Sequence, residues 1–343
     1  MRLASVVVCG WFLMGFSALA ETPPAILDVG KLPTASAAAR ASYRDQFLVA
    51  NLPRVFALAS GGAYGSGWGT KTIEESRSRA LANCASKGGT DCKVYAEDLA
   101  VVWPGLANAP VPAPSAPLIE GTGFAFVPDS KYLWHDPKTA RGLVVWSHGK
   151  GDKDERGQQT PAYVRWFNNA GFDVVRFDRE MAWDQPDRAA QWLRDGLAQL
   201  RSRGWRTIIA AGQSRGAWNS LQILDTAGLA DVVIAVSPAA QGTDAGNVAT
   251  KQGPALWTIT HATNAPKTRV AFVQFAHDPY SGDQDDRVAK FREYMFPHVA
   301  AGLIIDRPDG FSGHHGGDGS EFSQKYGACL LRFALDPTPP GGC

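Results

Sequence analysis

Short apolar runs alternate with amphipathic segments through the larger, C-terminal part of the chain. The runs are bounded by glycine, proline or polar residues, which predicts buried strands. Between two of them, residues 186–203 place Ala189, Leu193, Leu197 and Leu200 on one face of a helix. Strands are predicted at 142–146, 172–177, 207–211, 231–236, 269–275 and 302–305, and a further helix at 161–170. Repeated strand–helix units indicate an α/β fold with a doubly wound, mostly parallel sheet.

The N-terminal part has a pattern of its own, with short strands around one helix. Strands are predicted at 54–59, 94–96 and 100–103, and a helix at 73–85. The Gly-rich loop at 60–70 lacks the Lys-Ser/Thr ending of a phosphate-binding loop, so we interpret its segment 65–69 as a surface turn. Residues 21–107 therefore predict a small α+β domain. Since this domain has no paired carboxylates and no histidine cluster, we expect an accessory role for it.

A stretch rich in proline and alanine joins the two parts. Residues 108–118 include Pro110, Pro112, Pro114 and Pro117, a composition typical of a stiff, extended linker. The larger domain is therefore expected to span residues 119–343.

The first twenty residues have the pattern of a secretory signal. Arg2 gives a positive start, residues 3–16 form an apolar core, and Ala18-Leu19-Ala20 fits a cleavage site. An uncleaved membrane anchor is the alternative, which the short apolar run disfavours. No other segment is apolar enough to span a bilayer. The chain is therefore expected to be exported, to the periplasm or the medium.

Four cysteines remain after removal of the signal, and an even number in an exported chain indicates disulfides. Three connectivities are possible. Proximity favours Cys84–Cys92 with Cys329–Cys343, which would close one short loop in each part. A metal site is disfavoured because no Cys-x-x-Cys pair is present.

Composition and charge exclude one class of partner. The 343 residues carry a formal net charge of +1, with no long basic block or basic stripe interleaved with aromatics. Nucleic acid is therefore not an expected partner.

One short motif carries the strongest chemical signal. The apolar run 208–211 leads into Gly212-Gln213-Ser214-Arg215-Gly216, and a helix-compatible segment follows. This order of strand, sharp turn and helix is that of a nucleophile elbow, with serine at its apex.

Residues from about 119 to 337 resemble an α/β-hydrolase, with landmarks in the chain order of that family. Besides Ser214, they are Ser147-His148-Gly149-Lys150-Gly151 after a buried strand, Phe275-Ala276-His277-Asp278-Pro279 after a late strand, and Gly313-His314-His315-Gly316-Gly317 after the last strand. The resemblance implies that Ser214 is a nucleophile activated by a histidine that a carboxylate orients. It also implies an oxyanion hole formed by the backbone N–H of Arg215 and that of Gly149 or Lys150.

Two of these assignments have competitors. Asp278 follows its strand directly and is preferred as the acid, with Asp283 next. A small residue precedes His314, as is common before the catalytic histidine of the family, while His315 remains a rival. His148 is expected to be structural.

Two functional hypotheses follow. The first is an exported serine hydrolase that cleaves small-molecule or polymer esters without a metal or cofactor. Lys150 stands where some esterases of the family have a glycine; its side chain and that of Arg215 would either favour an anionic substrate or point away. The second is a non-catalytic envelope-binding protein that uses the hydrolase scaffold, with cell-envelope contact through its N-terminal domain.

Overall fold

The computed structural model describes residues 24–33, 36–151, 153–242 and 244–343, without the side chains of Ala245 and Ala249. The predicted signal segment, residues 1–20, lies outside the described residues. Two separate sheets organise the rest of the chain.

The first sheet belongs to the N-terminal part and is antiparallel, in the order β2-β1-β3-β4. Its strands are β1 (Arg54–Leu58), β2 (Tyr64–Trp68), β3 (Lys93–Glu97) and β4 (Ala100–Val101). Two helices accompany it, α1 (Ala37–Ser42) and α2 (Ile73–Ser86).

The second sheet has eight strands in the order β12-β11-β10-β9-β7-β8-β6-β5. The strands are β5 (Ile119–Gly121), β6 (Phe124–Pro128), β7 (Gly142–Ser147), β8 (Phe172–Arg179), β9 (Ile208–Gln213), β10 (Val232–Val236), β11 (Ala265–Gln274) and β12 (Val299–Asp306). The helices of this part are α3 (Val164–Asn169), α4 (Pro186–Ser202), α5 (Arg215–Gln222), α6 (Ala245–Asn247), α7 (Gly253–Ala262), α8 (Gln284–Lys290) and α9 (Ser320–Leu335).

Side chains of the central strands alternate between two cores, one on each face of the large sheet. In β7, Leu143 and Val145 join the core that contains Trp218 of α5, while Val144 and Trp146 join the core that contains Phe322 of α9. Strand β6 runs antiparallel to both of its neighbours, β5 and β8. The other six strands, which lie in the order β8-β7-β9-β10-β11-β12, are all parallel to one another. The predicted fold class, a doubly wound and mostly parallel sheet with a small N-terminal α+β unit, is confirmed.

The prediction of a surface turn at residues 65–69 is wrong. Gly65 and Gly67 lie in strand β2 and not in a surface turn. A Cβ atom on Gly67 would lie 2.2 Å from the Ser76 carbonyl oxygen of α2, and one on Gly65 would lie 2.1 Å from that of Ala80. The glycines therefore let a helix pack directly on a strand, a role that composition alone did not distinguish from a turn.

The two parts of the chain are in contact. Leu133 of the larger part is buried in the core formed by Tyr43, Phe56 and Tyr95 of the smaller one. The Asn169 side chain also donates a hydrogen bond to the Leu48 carbonyl, at 3.0 Å.

The predicted cysteine pairing is confirmed. Cys84 is bonded to Cys92 and Cys329 to Cys343, with Cα–Cα distances of 6.2 and 5.8 Å. Within the described ranges, no helix is both long enough and apolar enough to cross a membrane.

Candidate active site

Ser214 occupies the turn between β9 and α5, with φ 53° and ψ −120°. Flanking glycines make this turn possible. A Cβ atom on Gly216 would lie 1.9 Å from the Ser147 carbonyl oxygen, and one on Gly212 would lie 2.4 Å from the Gly216 carbonyl carbon. The left-handed backbone of a non-glycine residue is costly and persists only where its surroundings hold it. The local geometry is therefore that of a nucleophile elbow at the carboxyl end of a central strand.

Asp278 and His314 are brought together by two loops that lie side by side. Ala276 and Ser312 form a parallel bridge, and the Gly313 N–H donates to the Ala276 carbonyl at 2.8 Å. His314 Nδ1 lies 3.0 Å from both carboxylate oxygens of Asp278. The pair thus has the geometry of an acid that orients an imidazole.

Burial and hydrogen bonding act in opposite directions on Asp278. Desolvation by burial raises its pKa, but the hydrogen bond and charge of His314 and the N–H of Tyr280 together outweigh it, so the pKa is lowered. The Tyr280 N–H donates to Oδ1 at 2.8 Å. The carboxylate therefore stays ionised and able to support positive charge on the histidine.

His314 is held on three sides. The Tyr280 ring lies 4.1 Å from its ring, the Gln213 amide donates to its carbonyl at 3.1 Å, and Asp278 accepts from Nδ1. Nε2 is buried and has no hydrogen-bond partner among the described residues. No hydrogen bond between Ser214 Oγ and either His314 or His315 is formed within those residues. In unliganded enzymes such contacts are often long and tighten when substrate binds.

The competing residues have other partners. His315 is exposed and its Nδ1 lies 2.9 Å from Asp318, which raises its pKa. Asp283 caps α8 by accepting from the Asp286 N–H at 3.0 Å. The structure therefore brings Asp278 together with His314, the preferred pair, and leaves Asp283 and His315 out of it.

His148 holds the loop that contains Gly149 and Lys150. Its Nε2 accepts from the Arg179 N–H at 2.9 Å, and its Nδ1 lies 2.6 Å from the Gly149 carbonyl. Burial and the nearby Arg179 hold the pKa of His148 well below its usual range, so it is neutral. This is the structural role expected for it.

The two segments from which oxyanion-hole donors are expected lie beside Ser214. A Cβ atom on Gly149 would be 3.3 Å from Ser214 Cβ, which places that loop against the elbow. Arg215 is the first residue of α5, where a helix leaves its N–H without an intrahelical acceptor. Both segments can therefore offer N–H groups next to the serine.

A cavity of about 390 Å³ opens over Ser214. Its lining consists of Lys150, Gly151, Ser214, Arg215, Ala239, Ala240, Gly242 and Tyr280. Sequence reasoning missed Gln213 and Tyr280, although both lie within two residues of assigned ones. In the described part of the chain, no cluster of histidine, cysteine or carboxylate side chains could hold a metal ion.

Comparisons with known proteins find likeness in three dimensions alone. No family model and no curated protein matches the chain. An esterase of Pyrococcus furiosus, Pf2001, is 14% identical, covers 62% of this chain and 87% of its own, and superposes with a TM-score of 0.44. Est1E from Butyrivibrio proteoclasticus is 13% identical over 61% of this chain and 93% of its own, with a TM-score of 0.44. A monoacylglycerol lipase of Paleococcus ferrophilus is 15% identical over 57% of this chain and 95% of its own, with a TM-score of 0.42.

The larger part of the chain has the α/β-hydrolase fold. The strand order of its eight-stranded sheet and the reversed strand β6 beside the parallel strands define this fold. At these TM-scores we transfer no residue role and no substrate from the structural neighbours.

Proposed function

We propose that the protein is an exported serine hydrolase that cleaves carboxylic esters through an acyl-enzyme. The main support is the Asp278–His314 pair, buried in the same region as a serine held at a strained strand-to-helix turn. Strained backbone and buried titratable groups are costly, and they cluster at sites where chemistry requires them.

Each residue has a defined task in this mechanism. Ser214 Oγ attacks the ester carbonyl while His314 Nε2 accepts its proton; this is the ring nitrogen that lacks a partner among the described residues. His314 then returns the proton to the departing alcohol, and the same histidine activates water to release the acid. Asp278 fixes the ring through Nδ1 and stabilises the imidazolium.

The backbone N–H groups of Arg215 and of Gly149 or Lys150 would bind the oxyanion that forms on the substrate. One such donor contributes about 3 kcal/mol to lowering the barrier. Because these donors are backbone groups, Lys150 at a position where related esterases have glycine does not remove the hole.

Export is supported by the two disulfides and by the signal-like residues 1–20. Disulfides persist in oxidising compartments and are rare in the cytosol. We propose carboxylic esters as the main substrate class because this fold uses the elbow for acyl transfer. Thioesters and amides undergo the same acyl transfer and belong in the same test panel.

The test is turnover of 4-nitrophenyl acetate and butyrate by the mature protein and by Ser214→Ala. The exposed Ser202→Ala provides the matched control. We expect Ser214→Ala to abolish turnover and Ser202→Ala to retain it. A folded, disulfide-intact wild type that cleaves no ester, thioester or amide would contradict the proposal and favour the non-catalytic, envelope-binding hypothesis.

A further inference from the structure

The cavity over Ser214 is lined by two cationic residues, Lys150 and Arg215, and by no described acidic residue. Arg215 also supplies a backbone N–H to the proposed oxyanion hole, and its side chain is a separate feature. At the sequence level these side chains could have pointed away from the site. In the structure both residues line the cavity, so their charge bears on whatever occupies it.

The buried carboxylate of Asp184 serves as counterion for Arg215 and for the neighbouring Arg179. Asp184 Oδ2 lies 3.3 Å from Arg179 Nε, and Oδ1 lies 3.6 Å from Arg215 Nη1. The Asp184 side chain is 1% exposed and that of Arg179 is fully buried. The Asp184 carboxylate is therefore shared between two arginines.

Lys150 has an acceptor but no described counterion. Its Nζ donates to the backbone carbonyl of Asp184 at 2.7 Å, and no carboxylate of the described residues, which leave out position 152, lies within 4.0 Å of it. An ammonium group has three N–H donors, so donors remain for a ligand. Desolvation by burial lowers the pKa of Lys150, and the nearby Arg215 and Arg179 lower it further against the effect of Asp184.

The other described acids nearby are not among the residues that line the cavity. Asp278 is engaged by His314, and Asp154 and Glu180 pair with Arg156. The Glu155 carboxylate approaches the loop at Gly151, since a Cβ atom on that glycine would lie 2.3 Å from Oε1. Among the described residues that line the cavity itself, the charged ones are Lys150 and Arg215.

We propose that this cavity selects esters whose acyl chain carries a carboxylate, with Lys150 as the residue that determines this specificity and Arg215 as its partner. The proposal rests on the proposed hydrolase function and names its substrate class. A partly desolvated cation attracts an anion more strongly than a fully hydrated one. Arg215 alone would not suffice, because its Nη1 donates to the Asp184 carbonyl and its Nη2 to that of Ala240.

The experiment compares two esters of equal shape and different charge. The 4-nitrophenyl half-ester of adipic acid carries a carboxylate, and the corresponding adipamic ester carries a neutral amide at the same place. The quantity measured is the ratio of their kcat/KM values, after subtraction of spontaneous hydrolysis. We expect the wild type to favour the anionic ester by about tenfold at low salt, and by less at about 0.5 M salt because exposed charges are then screened.

Variants separate charge from structure. Lys150→Met should lower the ratio by about fivefold or more, as removal of a partly desolvated charge requires. Lys150→Arg should restore much of the ratio. Lys267 is an exposed lysine on β11, outside the cavity lining. The matched control Lys267→Met should therefore leave the ratio at the wild-type value. A wild type with no preference, or a Lys150→Met variant that slows both esters equally, would overturn the proposal.

A binding measurement distinguishes failure of this proposal from failure of the hydrolase function. Calorimetry on Ser214→Ala measures binding of monomethyl adipate and of methyl adipamate without turnover. Monomethyl adipate should bind more tightly than methyl adipamate, and adding Lys150→Met should remove this difference. That result supports the anionic site even if the wild type hydrolyses neither ester. Hydrolysis of both esters at equal rates, with equal binding, would contradict the anionic site while the hydrolase function stands.

Discussion

Two glycine pairs in this molecule solve the same packing problem with different consequences. Gly65 and Gly67 let α2 pack on β2, while Gly212 and Gly216 let α5 pack beside β9 and the end of β7. In the first case the chain between the glycines continues as a strand. In the second it turns through Ser214 with φ 53°. Glycines alone therefore indicate close approach of backbone, and the turn decides whether a side chain is presented.

The surroundings of the two pairs differ as well. Around Ser214 lie the buried Asp278–His314 pair, a neutral His148 and the arginines that share Asp184. Against β2, the described contacts of the glycines are with the helix backbone. We infer that catalysis belongs to the carboxyl end of the large sheet and that the small unit is not part of it.

The sharpest test of this contrast lies in the adjacent histidines. His314→Ala should lower kcat by about 10⁵-fold, because the nucleophile loses its base. His315→Ala should leave kcat within about twofold, since an exposed pair such as that of His315 with Asp318 contributes little. Steady-state kinetics on a chromogenic ester decides between them. Equal loss in both variants would contradict the assignment.

The acid offers a second matched pair. Asp278→Asn should lower kcat by about 10⁴-fold, because the histidine loses the group that holds its tautomer and supports its charge. Asp283→Asn should retain activity, since asparagine also caps helices well. The ratio of the two kcat values is the readout, with circular dichroism as the check on folding. A larger loss in Asp283→Asn would refute the choice of Asp278.

The glycines themselves provide the third comparison. Gly216→Ala and Gly67→Ala should each lower the free energy of unfolding by about 3 kcal/mol, because a Cβ atom meets a carbonyl oxygen in both. Activity should separate them: Gly216→Ala displaces the elbow and loses turnover, and Gly67→Ala retains it. Calorimetric unfolding and ester kinetics on the same samples provide both values. Loss of turnover in folded Gly67→Ala would show that the small unit contributes to the site.

A smaller effect is expected from the disulfide of the small unit. Replacing Cys84 and Cys92 together by serine should lower the free energy of unfolding by about 2 kcal/mol, since the closed loop is short. Values of kcat/KM should be unchanged. Denaturant titration measures the free energy of unfolding, and ester kinetics measures kcat/KM. A fall in kcat/KM of the folded variant would contradict the inference that the small unit takes no part in catalysis.

The central strands and the elbow could be predicted from the sequence because each is a local pattern. Buried runs such as Val232–Val236 are apolar throughout, and the elbow motif carries its own glycines. Strands β5 and β6 were missed since both are short and only partly buried, and α1 because it has just six residues.

Long-range contacts account for what local patterns could not decide. The choice of His314 over His315 depends on a carboxylate 36 residues earlier in the chain. The position of Lys150 and Arg215 over the cavity depends on Asp184, which is 34 residues from the first and 31 from the second along the sequence. No spacing rule connects such residues before the sheet brings them together.

The proposed chemistry depends above all on Ser214 being a working nucleophile, and fluorophosphonate labelling of the mature, disulfide-intact protein measures this without a substrate. We predict a single adduct, mapped by peptide mass spectrometry to Ser214, absent from Ser214→Ala and strongly slowed in His314→Ala but not in His315→Ala. Absence of any adduct on the folded wild-type protein, or an adduct that persists in Ser214→Ala, would show that Ser214 is not the nucleophile.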